Sequence, residues 1–570
     1  MDVGELLSYK PAKEPKRGAA DDEDVEVRPR AKRLANMPDS IHYERKMHKT
    51  HEENKENLER DLDEDSGGVL EGGGEAEDSS GVLDELNLKR LLLSFEKKVL
   101  KNQELRIKFP DQPEKFMDSE IELNDILLEM HVIATQPDLY HLLVELNAVS
   151  SLLGLLSHEN TDIAIAVVDL LQEMTDVDVL NEGSAEGAAA LVDALLEAQV
   201  VALLVQNLER LDEGVREEAE GVHDTLGIVE NLAEFRPDMC VDAAKQGLLA
   251  WLLKRLRSKT PFDANKLYAS EILSILLQRH EENRRLLGEA DGIDVLLQQL
   301  AYFKRHDPGG TEEQEMMENL FDALCSSLMA PANRERFLRG EGLQLMNLML
   351  REKKMSKNGA LKVLDHATCG AEGADNCNKL VDILGLRSVF PLFMKTPRRG
   401  RRRGGLSVEQ HEEHVCSVVA SMLKNCKGTQ RQRLLNKFTE NDHEKVDRLM
   451  ELHFKYLDKV HHVDAQIERE KAELGEEEEV DAGMEEEFYL RRLEGGLFTL
   501  QLIDYIMVDA CCSGPPGIKQ RVLQILNLRG GSIKTIRNVL REYAGNMGDG
   551  DDPSAREAEQ QRLLQFVDRF

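Results

Sequence analysis

From about residue 86 the chain alternates apolar and polar positions with helical spacing, and the spacing itself recurs. Ala148 is followed at offsets one, four and eight by Val149, Leu152 and Leu156, and Val200 by Val201, Leu204 and Leu208. The same offsets follow Leu248 (Leu249, Leu252, Leu256), Gly292 (Ile293, Leu296, Leu300), Gly342 (Leu343, Met346, Leu350) and Gly385 (Leu386, Val389, Phe393). Such offsets keep one face of a helix dry. Five residues before each anchor stand Leu143, Leu195, Ala243, Leu287, Phe337 and Leu380, all apolar. In three units Asn283, Asn333 and Asn376 lie nine residues before the anchor, where each is expected to cap the N-terminus of a short helix.

Successive anchors are 52, 48, 44, 50 and 43 residues apart, near the roughly 40 to 47 of armadillo and HEAT units. A unit of that length holds two or three helices and cannot bury its apolar face alone, so units stack on a shared core. The expected fold is all-α, an armadillo/HEAT-like superhelical solenoid, with an extended groove formed mainly by the last helix of each unit. Third helices are predicted at Ile163 to Met174 behind Asn160 and Thr161, Val215 to Phe235, Ala264 to Leu277 behind Asp263, and Gln314 to Leu328 behind Thr311. Past Phe438 the frame is lost but helical stripes continue, at Val446, Leu449, Met450, Phe454 and Leu457, then at Tyr489, Leu493, Leu497, Leu500 and Ile503. Shorter helices follow near Ile518 to Leu526 and Ile533 to Tyr543. The expected organisation is a disordered arm over 1–85, repeats over 86–438 and degenerate helical repeats capping the solenoid over 439–570.

Charge changes the picture at the N-terminus. Residues 52–85 carry 14 acidic side chains against Lys55 and Arg60, too little apolar surface to offset the entropy of ordering. Upstream, Lys13, Lys16 and Arg17, then Arg28, Arg30, Lys32 and Arg33, form two basic clusters that read as a nuclear-localisation signal. The whole chain of 570 residues has 73 Lys and Arg against 107 Asp and Glu, a net charge of −34, which argues against a dedicated nucleic-acid binder. Asp2 and Glu5 stand where a secretory signal wants positive charge, and no apolar run approaches the ~18 residues of a membrane span. Eight cysteines without a CxxC pair fit a reducing, intracellular setting.

Catalytic signatures are missing: the sequence has no Gly-Lys dipeptide for a phosphate loop, no GxGxxG, no GxSxG and no HExxH. His411, His414 and Cys416 are the nearest thing to a metal set, but further ligands cannot be placed and Glu412 and Glu413 suit a solvated face. His461 and His462 read as loop residues, and Cys511 and Cys512 as buried apolar groups. No cofactor or metal is implied, and an enzyme is not expected. Arg398, Arg399, Arg401, Arg402 and Arg403 form a basic island best read as a solvated insertion; contact with RNA or an acidic partner, or a second nuclear address, is the alternative.

Acidic residues crowd the third helices: Asp169 and Glu173 in the first unit, Glu217, Glu218, Glu230 and Glu234 in the second, with the Asn231 amide among them. Asp169, Glu173, Glu230, Asn231 and Glu234 form the candidate groove for extended Lys- and Arg-rich peptides, carboxylates meeting cations and the amide meeting backbone.

Longer stretches carry a resemblance: MDVGELLSY (1 to 9), KNQELRIKFP (101 to 110), QPDLYHLLVELNAV (136 to 149), DGIDVLLQQL (291 to 300), ENDHEKVDRLMELHFKYL (440 to 457) and EEEFYLRRLEGGLF (485 to 498). They resemble the beta-catenin-like family of nuclear armadillo proteins over nearly the whole chain. The resemblance implies a nuclear, non-catalytic component of the Prp-nineteen and cell-division-cycle-five-like spliceosomal complex. It further implies partners with basic, nuclear-localisation-type segments, including cell-division-cycle-five-like protein and activation-induced deaminase; self-association is left open. The chain departs from that family mainly in the N-terminal arm and the Arg-rich loop. A nuclear import adaptor carrying basic cargo is the alternative, but such adaptors line their third helices with Trp and Asn ladders. Here Glu173, Ile275 and Cys325 stand where Asn is wanted, Asn231 alone matches, and Trp251, the sole Trp, falls before the third helix.

Overall fold

A computed structural model describes residues 83–182, 185–352, 354–396, 406–473, 482–547 and 553–570. The nuclear-localisation clusters, the acidic tract up to residue 82 and the Arg398 to Arg403 island lie outside them. Among the described residues every regular element is helical, and one hydrophobic core runs from Leu88 to Phe570. The fold is the armadillo-like solenoid that the spacing predicts.

Each anchor opens, or lies at the start of, the second helix of its unit, and the residue before it is left-handed in all six units. These residues are Asn147 (φ 60°), Gln199 (55°), Gly247 (107°), Asp291 (57°), Glu341 (59°) and Leu384 (64°). The turn folds the first helix back so that its residue five before the anchor lies on the anchor. A Cβ added to Gly292, Gly342 or Gly385 would enter Leu287, Phe337 or Leu380. Size is therefore complementary at the joint: Gly under Leu or Phe, and Leu248 paired with Ala243. At Gly385 the backbone closes the turn, its N–H donating to Leu380 O at 2.8 Å. Gly496 (φ 116°) repeats the device beyond the predicted frame, splitting the stripe from Tyr489 to Ile503 into Ala482–Arg492 and Phe498–Ser513.

The third helices form a continuous layer. In chain order it comprises α1 (Met117–Glu129), α2 (Thr161–Thr175), α3 (Arg216–Phe235), α4 (Ala264–Gln278), α5 (Thr311–Ser327), α6 (Ser356–Thr368), α7 (Val408–Asn425) and α8 (Phe498–Ser513), each packed on the next. Asn160 and Asp263 cap α2 and α4 as expected, accepting from Asp162 N–H at 3.1 Å and Lys266 N–H at 2.8 Å. Because α5 begins at Thr311, the start expected at Gln314 moves one turn back.

Three readings need correction. Asn283, Asn333 and Asn376 are not N-caps: each is the third residue of its helix, and each donates its amide backwards. Asn283 Nδ2 reaches Leu276 O (2.8 Å) and Cys240 O (3.0 Å), and Asn333 Nδ2 reaches Ser327 O (3.0 Å) and Arg284 O (2.7 Å). All three tie off the preceding third helix, Asn376 through Ala367 O at 3.0 Å, and Asn283 and Asn333 also bridge to the preceding unit, satisfying carbonyls that the helix leaves open. Glu412 is not solvated but 5% exposed. His461 and His462 lie within the helix Glu444–Glu473 rather than in a loop.

That 30-residue helix packs on α8 and closes the C-terminal end. Here carboxylates are buried against cations. Glu412 on α7 accepts from Tyr456 Oη (2.8 Å), Lys455 Nζ (2.6 Å), Thr396 Oγ1 (2.5 Å) and Arg448 Nη2 (3.2 Å). His453 Nδ1 is 2.6 Å from Asp504, and Arg431 Nη2 donates to Asp509 at 2.5 Å. Gly483–Ser513 is long and apolar enough to cross a membrane, but 83% of its apolar window is buried inside the solenoid. The helix Pro553–Arg569, unforeseen from the pattern, completes the described chain.

Candidate peptide-binding face

The sequence places acids on α2 and α3, and packing of these two helices decides which of them meet. Glu220, Asp224 and Asn231 recur at spacings of four and seven, one face of α3. Gly227 lies between them, with Gln172 of α2 and Tyr268 of α4 packed over it: an added Cβ would stand at ordinary contact, 3.5 Å and 3.4 Å from their side chains.

Asp169, Glu173, Glu220 and Asp224 gather across α2 and α3. Burial, reinforced by the like charges of Asp169 and Glu220, pushes the Asp224 carboxyl up to about 7. Burial also raises Asp169, opposed by His131 and supported by Glu173 and Glu220. His131 sits at the edge of the cluster, its Nδ1 2.7 Å from Glu173 and its Nε2 3.9 Å from Asp169. Burial disfavours a charged His131, yet the Glu173 hydrogen bond and both carboxylates hold it above the usual imidazole range. Four carboxylates thus meet Arg216, paired with Glu220 at 2.9 Å, and the titratable His131, leaving Asp224 as the carboxylate of the four without a cation beside it among the described residues.

The remaining predicted residues lie further along α3. Glu230 accepts a hydrogen bond from Tyr268 Oη at 2.5 Å. Asn231 Nδ2 is buried without a hydrogen-bond partner, and Glu234 is exposed. The five predicted residues therefore divide: Asp169 and Glu173 share the cluster with His131, while Glu230, Asn231 and Glu234 extend it towards the C-terminus of α3. Asp224, Glu220 and His131 belong to the site and were not singled out beforehand. Spacing on α3 could have found Glu220 and Asp224, eleven and seven residues before Asn231, but His131 comes from a segment with no acidic pattern. Of the three ladder positions occupied by other residues, Glu173 joins the cluster, Cys325 is buried and Ile275 is half-buried.

The other constellations resolve as packing. His414 Nδ1 is 2.9 Å from Asp365, the His411 ring faces Leu392 O at 3.4 Å, and Cys416 is buried. Among the described residues no three His, Cys, Asp or Glu side chains converge as a metal site.

A family model described as "Catenin-beta-like, Arm-motif containing nuclear" matches residues 69–541. The chain is 62% identical over 572 residues to Beta-catenin-like protein 1 of Rattus norvegicus, covering 100% of both chains. It is 67% identical over 489 residues to the Homo sapiens protein of that name, 86% of each. A Schizosaccharomyces pombe homolog is 30% identical over 477 residues, 83% of this chain and 81% of its own.

Proposed function

Because the chain belongs to the catenin-beta-like family of Arm-motif nuclear proteins, we propose that it is a non-catalytic nuclear scaffold that holds basic segments of partner proteins against α2 and α3. The observation that carries this reading is the Asp169, Glu173, Glu220 and Asp224 cluster, in which a carboxyl pushed up to about 7 lacks a matching cation of its own. Lysine or arginine side chains of an extended nuclear-localisation-type segment supply that charge, and the unpartnered Asn231 amide, buried in the free chain, meets the peptide backbone only if its side chain turns outward. The partners are components of a Prp-nineteen and cell-division-cycle-five-like spliceosomal complex, in support of pre-mRNA splicing, with activation-induced deaminase as a further basic client.

A Lys- and Arg-rich peptide carrying a photo-crosslinker should label α2 and α3 of the full chain. Adducts confined to other helices would refute the groove assignment. Immunoprecipitation from nuclear extract should recover splicing components, and their absence would remove the spliceosomal part of the reading.

A further inference from the structure

The N-terminal end of the solenoid carries an apolar surface that a terminal helix has no structural reason to keep. The helix Glu85–Lys108 buries Leu88, Leu92, Phe95 and Val99 against the core. Its opposite side exposes Leu86 (65%), Leu93 (62%), Leu100 (57%) and Ile107 (82%), four large aliphatic side chains at intervals of seven. Single exposed leucines are ordinary, but four in heptad register form one line along about 32 Å of helix. Between them, also exposed, stand Arg90, Lys97 and Glu104. End units of stacked-repeat proteins carry a polar outer face; the outer face of this helix, the first among the described residues, is apolar along that line. The neighbouring α1, joined through Lys101 and Glu122 at 2.6 Å, exposes Met117, Ile121 and Leu128.

The charge on this helix selects the occupant. The helix carries seven basic residues against three acidic ones; Lys89, Lys101 and Arg106 are paired with Glu85, Glu122 and Glu120, and α1 carries five acidic residues, so the cations that select an occupant are Arg90 and Lys97, exposed on the flank of the seam itself. We propose that the Leu86, Leu93, Leu100 and Ile107 line is a docking seam for an amphipathic helix of a partner protein, apolar along one stripe and acidic on its flanks. Leucine-type side chains of the partner fill the seam, and its carboxylates meet Arg90 and Lys97. A second copy would set two predominantly basic helices against each other. The seam therefore takes the opposite charge class from the α2 and α3 face, so the two sites can be occupied by one partner with two unlike segments or by two partners.

The test uses the full-length chain and a fluorescent synthetic helix of three heptads, with Leu at every a and d position and Glu at every e and g position, together with a counterpart carrying Lys in place of Glu. The acidic probe should bind at least about tenfold more tightly than the basic one. Leu93→Asp with Leu100→Asp should weaken it by more than about tenfold at unchanged melting temperature, since both side chains are exposed. Arg90→Glu with Lys97→Glu should reverse the preference between probes, a change that loss of folding cannot mimic. Equal binding of both probes, binding that survives the two aspartates, or no binding at all would overturn the proposal. So would a molar mass from light scattering that is twice the chain mass and halves in the Leu93→Asp, Leu100→Asp variant, because the occupant would then be a second copy.

Discussion

Asp224 on α3 and Glu412 on α7 occupy the same layer of helices, yet their surroundings are inverted. The neighbours that set Asp224's charge are Asp169 and Glu220, and its carboxyl is pushed up to about 7. Glu412, more deeply buried, is held below the usual carboxylate range: burial opposes this, but Lys455, Thr396 and Tyr456 prevail. Asp509 also meets cations, Arg431 at 2.5 Å and Arg562 at 3.7 Å, although its deeper burial still raises its carboxyl above the usual range. The difference lies in what covers the layer. At the C-terminal end other helices bring cations over the third helices, Arg448 and Lys455 from Glu444–Glu473 to Glu412, Arg431 and Arg562 from Gly428–Lys437 and Pro553–Arg569 to Asp509, so acids there bind the end of the solenoid together. Over α2 and α3 the cations are fewer, Arg216 beside Glu220 and His131 beside Glu173, and Asp224 has none among the described residues.

The largest break in this contrast should come from the buried end. Arg431→Met leaves Asp509, 0% exposed, without its nearer cation and should destabilise the chain by about 3 kcal/mol in chemical denaturation. The matching change at the other end, Asp169→Asn with Asp224→Asn, should leave folding intact and weaken a basic peptide by about 2 kcal/mol, roughly thirtyfold, in anisotropy titrations. Stability unchanged and affinity unchanged together would erase the distinction between the two regions.

Proton linkage sharpens it further. Asp224 gains its charge as pH rises through about 7, so affinity for a basic peptide should rise by up to about tenfold between pH 6 and 8 and flatten in Asp224→Asn. Stability runs the other way. The folded chain holds a proton that the unfolded chain releases in the ordinary carboxylate range, so this group's contribution is lost progressively as pH climbs from that range to about 7, and is gone above it. The smallest effect belongs to an exposed pair: Arg236→Ala, which frees Asp193 from a 2.9 Å contact, should change stability by under about 0.5 kcal/mol.

The repeat frame was legible because burial demands apolar side chains at helical offsets and the sequence states them directly. The joint behind it was not: Asn147, Gln199, Gly247, Asp291, Glu341 and Leu384 share a backbone conformation and no side-chain chemistry. The asparagines were visible but misread, since their role depends on carbonyls of the preceding helix and the preceding unit. Glu412 looked solvated because its cations, Arg448 and Lys455, lie in a later helix. Asp224 escaped notice for the same reason, since half of its electrostatic environment is Asp169 on another helix. Short-range pattern reveals what a helix buries; it does not reveal which distant charges arrive beside it.

The left-handed joint makes the array divisible. Each one returns the chain to an equivalent point with an aliphatic, aromatic or small residue already seated five positions back, so a gene cut at two such points and rejoined would still encode a properly seated corner. Joining Gln199 directly to Gly342 would set Leu195 over a glycine, the fit already used by Leu287 on Gly292. Whole units can be gained or shed at these residues while the spine of the molecule keeps its phase.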